Sequence, residues 1–408
     1  MQDSHRQIIV GSIILIFTLL QFLVLAVFGY TPYPDSEGYL YLANENLGLN
    51  SPYPTSQQIN ELPFIWNLGA INIVYYSLKW FGSIVPVLLL YSLMKGLTTA
   101  LIYAISLSIT NHKTAFFILL LYVCYPANYG EGTSLLSEVP FIFLTLLSLW
   151  LLIRKYTITA GIALAIANWF RPFSLIFLFV YCLYLIYKNR RKIITLIIGY
   201  TAMIAVIGGI NYYRTGYFIY QAKTGWMALM QYSLDNSIKK VNVNPMETDS
   251  LNCIEKDAYW KNQFTDWLQN NSDEYVRQIP GKIIKLYVSD NVNMCTFIPG
   301  KRQAKYMYDE VSMPTLIESF PRFSAVQILT LYNLVYYYLL IISFTIGCFL
   351  AWKHRHIEPL ILSLGVVVAG TIFIALVGHG EARFHQPFMP FIIIMGGLLI
   401  KKISLTNE

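Results

Sequence analysis

Apolar runs of membrane-crossing character alternate with short polar connections along most of the chain. They lie at 8–29, 84–109, 114–128, 136–153, 156–169, 172–187, 192–212, 326–351, 357–378 and 386–401. A helix needs about 20 mostly apolar residues to cross a hydrocarbon layer about 30 Å thick, so the pattern predicts an all-α integral membrane bundle of about ten transmembrane helices. The stretch LPFIWNLGAINIVYYSLKWF, 62–81, is an eleventh candidate that hydropathy alone does not decide.

Charge decides it. Asn111-His112-Lys113, Arg154-Lys155, the KNRRK run at 188–192, the KHRH run at 353–356 and Lys401-Lys402 all fall on one side, the cytoplasmic one, only if 62–81 does not cross. Trp66, Tyr75, Tyr76, Lys79 and Trp80 are the amphipathic residues that settle at a headgroup layer, so this stretch reads as an interfacial helix. The outer face then carries 30–83, the loop around 125–138, a long loop from Tyr213 to Ser324 between the seventh and eighth spans, and GHGEARFHQP near 378–387. The chain divides into a transmembrane module at 1–212 that holds the first outer loop, an extracytoplasmic region at 213–325, and C-terminal transmembrane helices at 326–408. The long loop contains the helix-like runs DAYWKNQFTDWLQ and EYVRQIPGKIIKLYVS. The first apolar run is too long for a signal-peptide core and reads as a retained anchor.

Composition agrees. Of 408 residues, 56% are hydrophobic and 12% charged, and the mean hydropathy of +0.50 excludes a soluble globular enzyme. The net charge of +7 comes from the short basic clusters between apolar runs, which report topology and give no sign of a nucleic-acid partner. The five cysteines form no CxxC and suggest no metal site; Cys253 and Cys295 share the long loop and can pair only if that loop is extracytoplasmic.

Charged residues beside membrane spans are costly unless they meet water or one another, so the acids and arginines of the outer loops are the candidate chemistry. In TPYPDSEGYLYLA, Pro32 and Pro34 break the chain and Asp35 heads a short helix through Glu37, Tyr39 and Tyr41; the plain alternative makes Asp35 a helix cap. Glu138 in LLSEVPF, with Glu131 shortly before it, opens the fourth span, where it can also serve only the helix dipole. Arg171 in WFRPF breaks an apolar run on the side that the positive-inside pattern leaves poor in cations. It therefore calls for an anion, or else reaches to lipid phosphate. In GHGEARFHQPFMP, His379, Glu381, Arg383 and His385 crowd the start of the last run, with a spacing that matches no standard metal motif. A guanidinium grips phosphate bidentately and holds its charge at any relevant pH, which makes Arg383 a natural clamp for a lipid-linked phosphate.

Acids from two early loops and guanidinium groups from two later ones suit a phosphate leaving group and a hydroxyl nucleophile needing deprotonation. Arginine would stabilise the departing anion, and Asp35, as general base, would activate the acceptor for direct displacement with inversion. A carboxylate pair flanking the sugar, as a retaining mechanism requires, is not demanded here.

The order PDSEGYLYLA, LLSEVPF, NWFRPF and EARFHQPFMP resembles the polytopic GT-C glycosyltransferases related to protein O-mannosyltransferases and the aminoarabinose transferases of lipid A. The resemblance implies a GT-C-like bundle, a polyprenyl-phosphate-sugar donor and an active site at the extracytoplasmic face of a bacterial plasma membrane. It also implies Asp35 as catalytic base with Glu138 as the second-loop acid, and Arg383 as the donor-phosphate ligand. Glu37, Tyr39, Arg171, Glu381 and His385 join the expected substrate contacts. The acceptor would be a glycan, lipid or protein hydroxyl, with no cofactor and no obligatory metal. Two departures stand out: Ser36, not a second acid, follows Asp35, and Glu61-Leu62-Pro63-Phe64 lacks the basic residue that relatives carry there. The rival readings are an O-antigen ligase or polymerase, which would rely on Arg214, Arg302 or Arg322, and a lipid-linked sugar flippase, which favours paired repeats and mid-membrane charges absent from this sequence.

Overall fold

Helices make up nearly all the regular structure of the computed structural model, which describes residues 2–52, 54–62, 64–232, 250–298, 325–378 and 380–400. The only β contact among the described residues is a single antiparallel bridge between Ile65 and Lys223. Five helices are long and apolar enough to cross a membrane: α1 (Gln2–Phe28), α5 (Val85–Ile109), α10 (Lys192–Thr215), α13 (Ala325–Lys353) and α14 (Ile357–Val377). A sixth candidate is broken. Two short 3₁₀ turns within Pro126–Thr133 bend by 114° into α7 (Glu138–Ile153).

The other expected spans are occupied by shorter apolar helices, α6 (His112–Val123), α8 (Thr157–Phe170) and α9 (Ser174–Asn189), with α15 (Met389–Gly396) after them. Two of these have a local cause for where they begin or end. Proline disfavours helical backbone in the residue before it, so α8 ends at Phe170 and Arg171 is extended ahead of Pro172 (φ −153°, ψ 130°). Likewise, 382–388 forms a 3₁₀ turn through Pro387 before α15 starts, later than the run from 386 suggests. The stretch at 62–81 forms α4 (Leu68–Phe81), only 14 residues long and closed by Gly82 at φ +63°, a left-handed terminus that glycine adopts without strain. Before it stand α2 (Pro34–Gly48) and α3 (Ser56–Glu61). In the long loop, α11 (Gly225–Tyr232) precedes α12 (Cys253–Tyr287), which joins both helix-like runs across a kink at Asn271 (φ −132°).

The main core gathers residues of α6 to α9, α14 and α15 around Phe141, Phe177, Phe388 and Phe391. α8 and α10 meet at two glycines. A Cβ on Gly161 would lie 2.2 Å from the Leu196 carbonyl oxygen, and one on Gly199 2.1 Å from that of Ile158, the close backbone approach that small residues give apolar helices. A second cluster seats α2 and α4 on the starts of α5 and α7 through Tyr39, Val74, Tyr75, Tyr91 and Val139. The broken span therefore has the main core behind it and the early helices before it. Cys253 belongs to this second cluster and Cys295 to a third, beside Tyr33, and the two are not bonded to each other.

Candidate active site

Four interruptions in helical structure deliver the charged residues to one place. At the first, Pro34 supplies a preset helical φ at the opening position of α2, and the Ser36 hydroxyl accepts the Tyr33 N–H at 2.9 Å. Asp35 is therefore not the cap: Tyr33 is, with Ser36 three residues on accepting its N–H, and the Asp35 carboxylate is free to point elsewhere, still beside the positive end of the helix. It meets Arg383, whose Nη2 lies 2.8 Å from Oδ2.

Glu138, brought in by the 114° bend, is the first residue of α7 and is 2% exposed. Its Oε1 contacts Arg171 Nη1 and lies 3.5 Å from Arg383 Nε. Arg171 is 5% exposed, with its guanidinium buried inside the protein. Its guanidinium carbon sits 4.9 Å from the ring centres of both Phe173 and Phe384, a bracket that favours the cation while excluding water. Arg383 also borders the Phe384 ring, at 5.7 Å, and Glu381 Oε1 stands 3.7 Å from its Nε. Burial works against the charge of Arg383, but Asp35, Glu381 and Glu138 together override it and raise its pKa, so it stays protonated.

Three carboxylates and two guanidinium groups thus form one cluster, graded from the buried Glu138–Arg171 contact to Asp35 and Glu381, each one-third exposed. Tyr39 stands behind it: Asn67 donates to its hydroxyl at 2.6 Å, and the Ser137 hydroxyl lies 3.4 Å from both Asn67 Nδ2 and Glu138 Oε2. Burial, reinforced by the Asp35 and Glu138 charges, raises the phenol's pKa and keeps it neutral.

Two of the expected substrate contacts lie elsewhere. Glu37 faces outward and accepts from the Tyr30 hydroxyl at 2.8 Å. His385 turns into the protein, its Nδ1 2.7 Å from the Leu286 carbonyl and its Nε2 3.6 Å from Asp290 Oδ1, between the rings of Tyr287 and Tyr337. Burial pushes the imidazole down to about 4, so it is neutral near pH 7 and anchors the turn that carries Arg383. His379 lies outside the described residues. Among those described, no three His, Cys, Asp or Glu side chains gather as metal ligands.

Sequence reasoning passed over two supports. Lys95, in the apolar α5, lies 2.5 Å from Glu131 and donates to Tyr122 and Asn128, each at 3.1 Å, which fixes the turns ahead of Glu138. A lone lysine inside a spanning run was the signal. Asp290 accepts from Tyr125, while the Asn333 side chain bonds both the Asp290 carbonyl and the Ala127 N–H at 3.0 Å; nothing in the local sequence marked it.

Beside the cluster lies a cavity of about 410 Å³, whose walls include Phe173, Tyr220, Gln221, Trp226, Asp257 and Phe373. It shares Phe173 with the bracket around Arg171. The chain matches no known family model and no curated protein.

Proposed function

We propose that this chain is a multi-pass membrane glycosyltransferase that moves a sugar from a polyprenyl-phosphate carrier to an acceptor hydroxyl. The observation that carries the reading is the contact between Asp35 and Arg383, from opposite ends of the chain, in a cluster whose other carboxylate, Glu138, is shared by two guanidinium groups. A solvent-reachable carboxylate next to a protected, permanently charged guanidinium is the pairing needed to deprotonate one oxygen while stabilising negative charge on another.

In this reaction Asp35 takes the acceptor's hydroxyl proton. The acceptor oxygen attacks the anomeric carbon from the face opposite the phosphate, and the carbon–oxygen bond to phosphate breaks. Its electron pair leaves on the carrier phosphate, whose charge Arg383 receives, with Arg171 behind it. One sugar–oxygen bond forms as one breaks, with inversion at the anomeric carbon. Glu138 sets the aim of both arginines. The cavity that shares Phe173 with the cluster seats the acceptor, with aromatic faces for a ring and the Gln221 and Asp257 side chains for its hydroxyls.

The reading includes the ten-span topology, with α6, α8, α9 and α15 as short or tilted crossings, α2 to α4 at the outer interface, and the cluster on the extracytoplasmic side of a bacterial plasma membrane. Of the arginines on which the ligase alternative would rely, Arg214 is exposed with Ser51 Oγ 3.5 Å from its Nη1, and Arg302 and Arg322 lie outside the described residues. The test is Asp35→Asn, assayed as sugar transfer from a radiolabelled polyprenyl-phosphate sugar in membrane vesicles. Transfer is lost while membrane abundance is unchanged; full transfer by the variant overturns the reading.

A further inference from the structure

A phosphate arriving at Arg383 meets a guanidinium already engaged by Asp35 and must compete with it. Its Nη2 is taken by Asp35 at 2.8 Å, and its Nε faces Glu138 at 3.5 Å and Glu381 at 3.7 Å. The guanidinium is 11% exposed, so little of it is left for a second anion. Glu138 is buried on Arg171 and cannot withdraw. Asp35 can, since its carboxylate is one-third exposed and its helix cap does not depend on it.

We infer that Asp35 also competes with the carrier phosphate for Arg383 and so expels the product, a polyprenyl monophosphate. The inference rests on the proposed transfer reaction and concerns the end of its cycle. The donor is a phosphodiester with a single negative charge. The released carrier is a monoester with about −1.5 to −2 at pH 7. A site built only to bind phosphate would therefore hold its product more tightly than its substrate. Asp35 counters this in step with the chemistry. On accepting the acceptor's proton it becomes neutral and gives up Arg383 just as the phosphate gains charge; on passing that proton to water it is an anion again and reclaims the guanidinium. Its partial exposure provides the route for the proton, whereas Glu138 at 2% exposure has none.

The experiment measures binding of undecaprenyl monophosphate to the full-length protein in lipid nanodiscs, with undecaprenol as the uncharged control. Asp35→Asn, nearly isosteric and lacking the charge, is expected to bind the monophosphate at least about 10-fold tighter, within the range of typical site–site couplings, mostly through slower release, with undecaprenol binding unchanged. Glu381→Gln, which removes an equally exposed carboxylate from the farther side of Arg383, shifts affinity less than about 3-fold. In an Arg383→Ala background the effect of Asp35→Asn disappears. Unchanged or weaker monophosphate binding by Asp35→Asn overturns the inference, as does an equal gain from Glu381→Gln. Transfer activity separates the two proposals: an inactive Asp35→Asn without tighter binding leaves the glycosyltransferase reading standing and removes only this one, whereas an active Asp35→Asn removes both.

Discussion

Replacing Glu138 by Gln tests whether the cluster is held from its buried end. The carboxylate is 2% exposed and its Oε1 serves two guanidinium groups, in contact with Arg171 and 3.5 Å from Arg383 Nε. At an effective dielectric of about 20, the longer contact alone corresponds to about 5 kcal/mol of Coulomb attraction, much of which offsets desolvation of the charges. Removing one member of a buried pair costs about 3–5 kcal/mol because the partner's charge stays behind. Glu138→Gln should therefore lower the apparent melting temperature of the detergent-purified protein markedly, read from tryptophan fluorescence. Arg171→Met alone should do the same. The double variant Glu138→Gln/Arg171→Met should recover about 1–3 kcal/mol of the summed loss, since the charge that each single change strands is then absent. Transfer activity should be lost in all three variants, because Glu138→Gln removes the buried stop of Arg383 and Arg171→Met removes the second guanidinium behind the departing phosphate. Single variants as stable as the parent, or strictly additive losses, would refute the buried clamp and leave Glu138 as a helix-dipole residue.

Lys282, 6% exposed, has no hydrogen-bond partner for its amine among the described residues and lies 4.8 Å from the Tyr275 ring centre. Burial pushes its pKa from the ordinary 10.5 down to about 8. The unfolded chain thus holds the extra proton between those values, and stability rises with pH across that window; Lys282→Met should stabilise the protein at pH 7 by about 1–2 kcal/mol after allowance for solvent screening and flatten thermal stability between pH 8 and 10.5. For the pair Lys95–Glu131, Lys95→Met alone should reduce both stability and transfer, and adding Glu131→Gln should restore stability by more than about 1 kcal/mol, as followed by thermal unfolding. Trp226→Ala opens one wall of the cavity beside Arg171 and should raise the acceptor KM with little change in carrier affinity; equal loss of both would remove the cavity from the acceptor path.

The helices were legible because hydropathy over a long window is a sum, tolerant of local detail. Their ends were not. The 62–81 stretch shows this: tryptophans, tyrosines and a lysine argue for an interfacial helix, yet only 68–81 is helical. The role of Asp35 shows it again, since a sequence with Pro34 and Asp35 invites a capping assignment that falls instead on Tyr33, whose N–H the Ser36 hydroxyl accepts. Arg171, Glu138 and Arg383 could be singled out by the cost of charge beside lipid, but which carboxylate meets which guanidinium depends on a 114° bend and on contacts between residues hundreds of positions apart. Asp290 and His385 belong to the same class, because their pairing forms only where the end of α12 meets the 382–388 turn. Glu37 stands apart from the cluster for a simpler reason: two positions along a helix is about 200° of rotation, so it faces away from Asp35.

The convergence of charge has a common physical origin in the helix breaks. Charge is tolerated in an apolar bundle mainly where backbone polarity is already exposed, at helix termini, and each charged residue of the cluster stands at such a point: Asp35 lies in the first turn of α2, Glu138 opens α7, Arg171 follows α8, and Glu381 and Arg383 lie at the turn before α15. At the openings of α2 and α7 the dipole favours the acids, and at the end of α8 it favours the arginine. Helix ends gathered at one place thus presort the signs, and pairing then neutralises the buried Glu138 and Arg171. What remains adjustable is the outer side of the cluster, where Asp35 and Glu381 meet Arg383 and are each one-third exposed. A buried inner pair that fixes position and a more exposed outer pair is the division of labour that the proposed acceptor activation and phosphate departure would use.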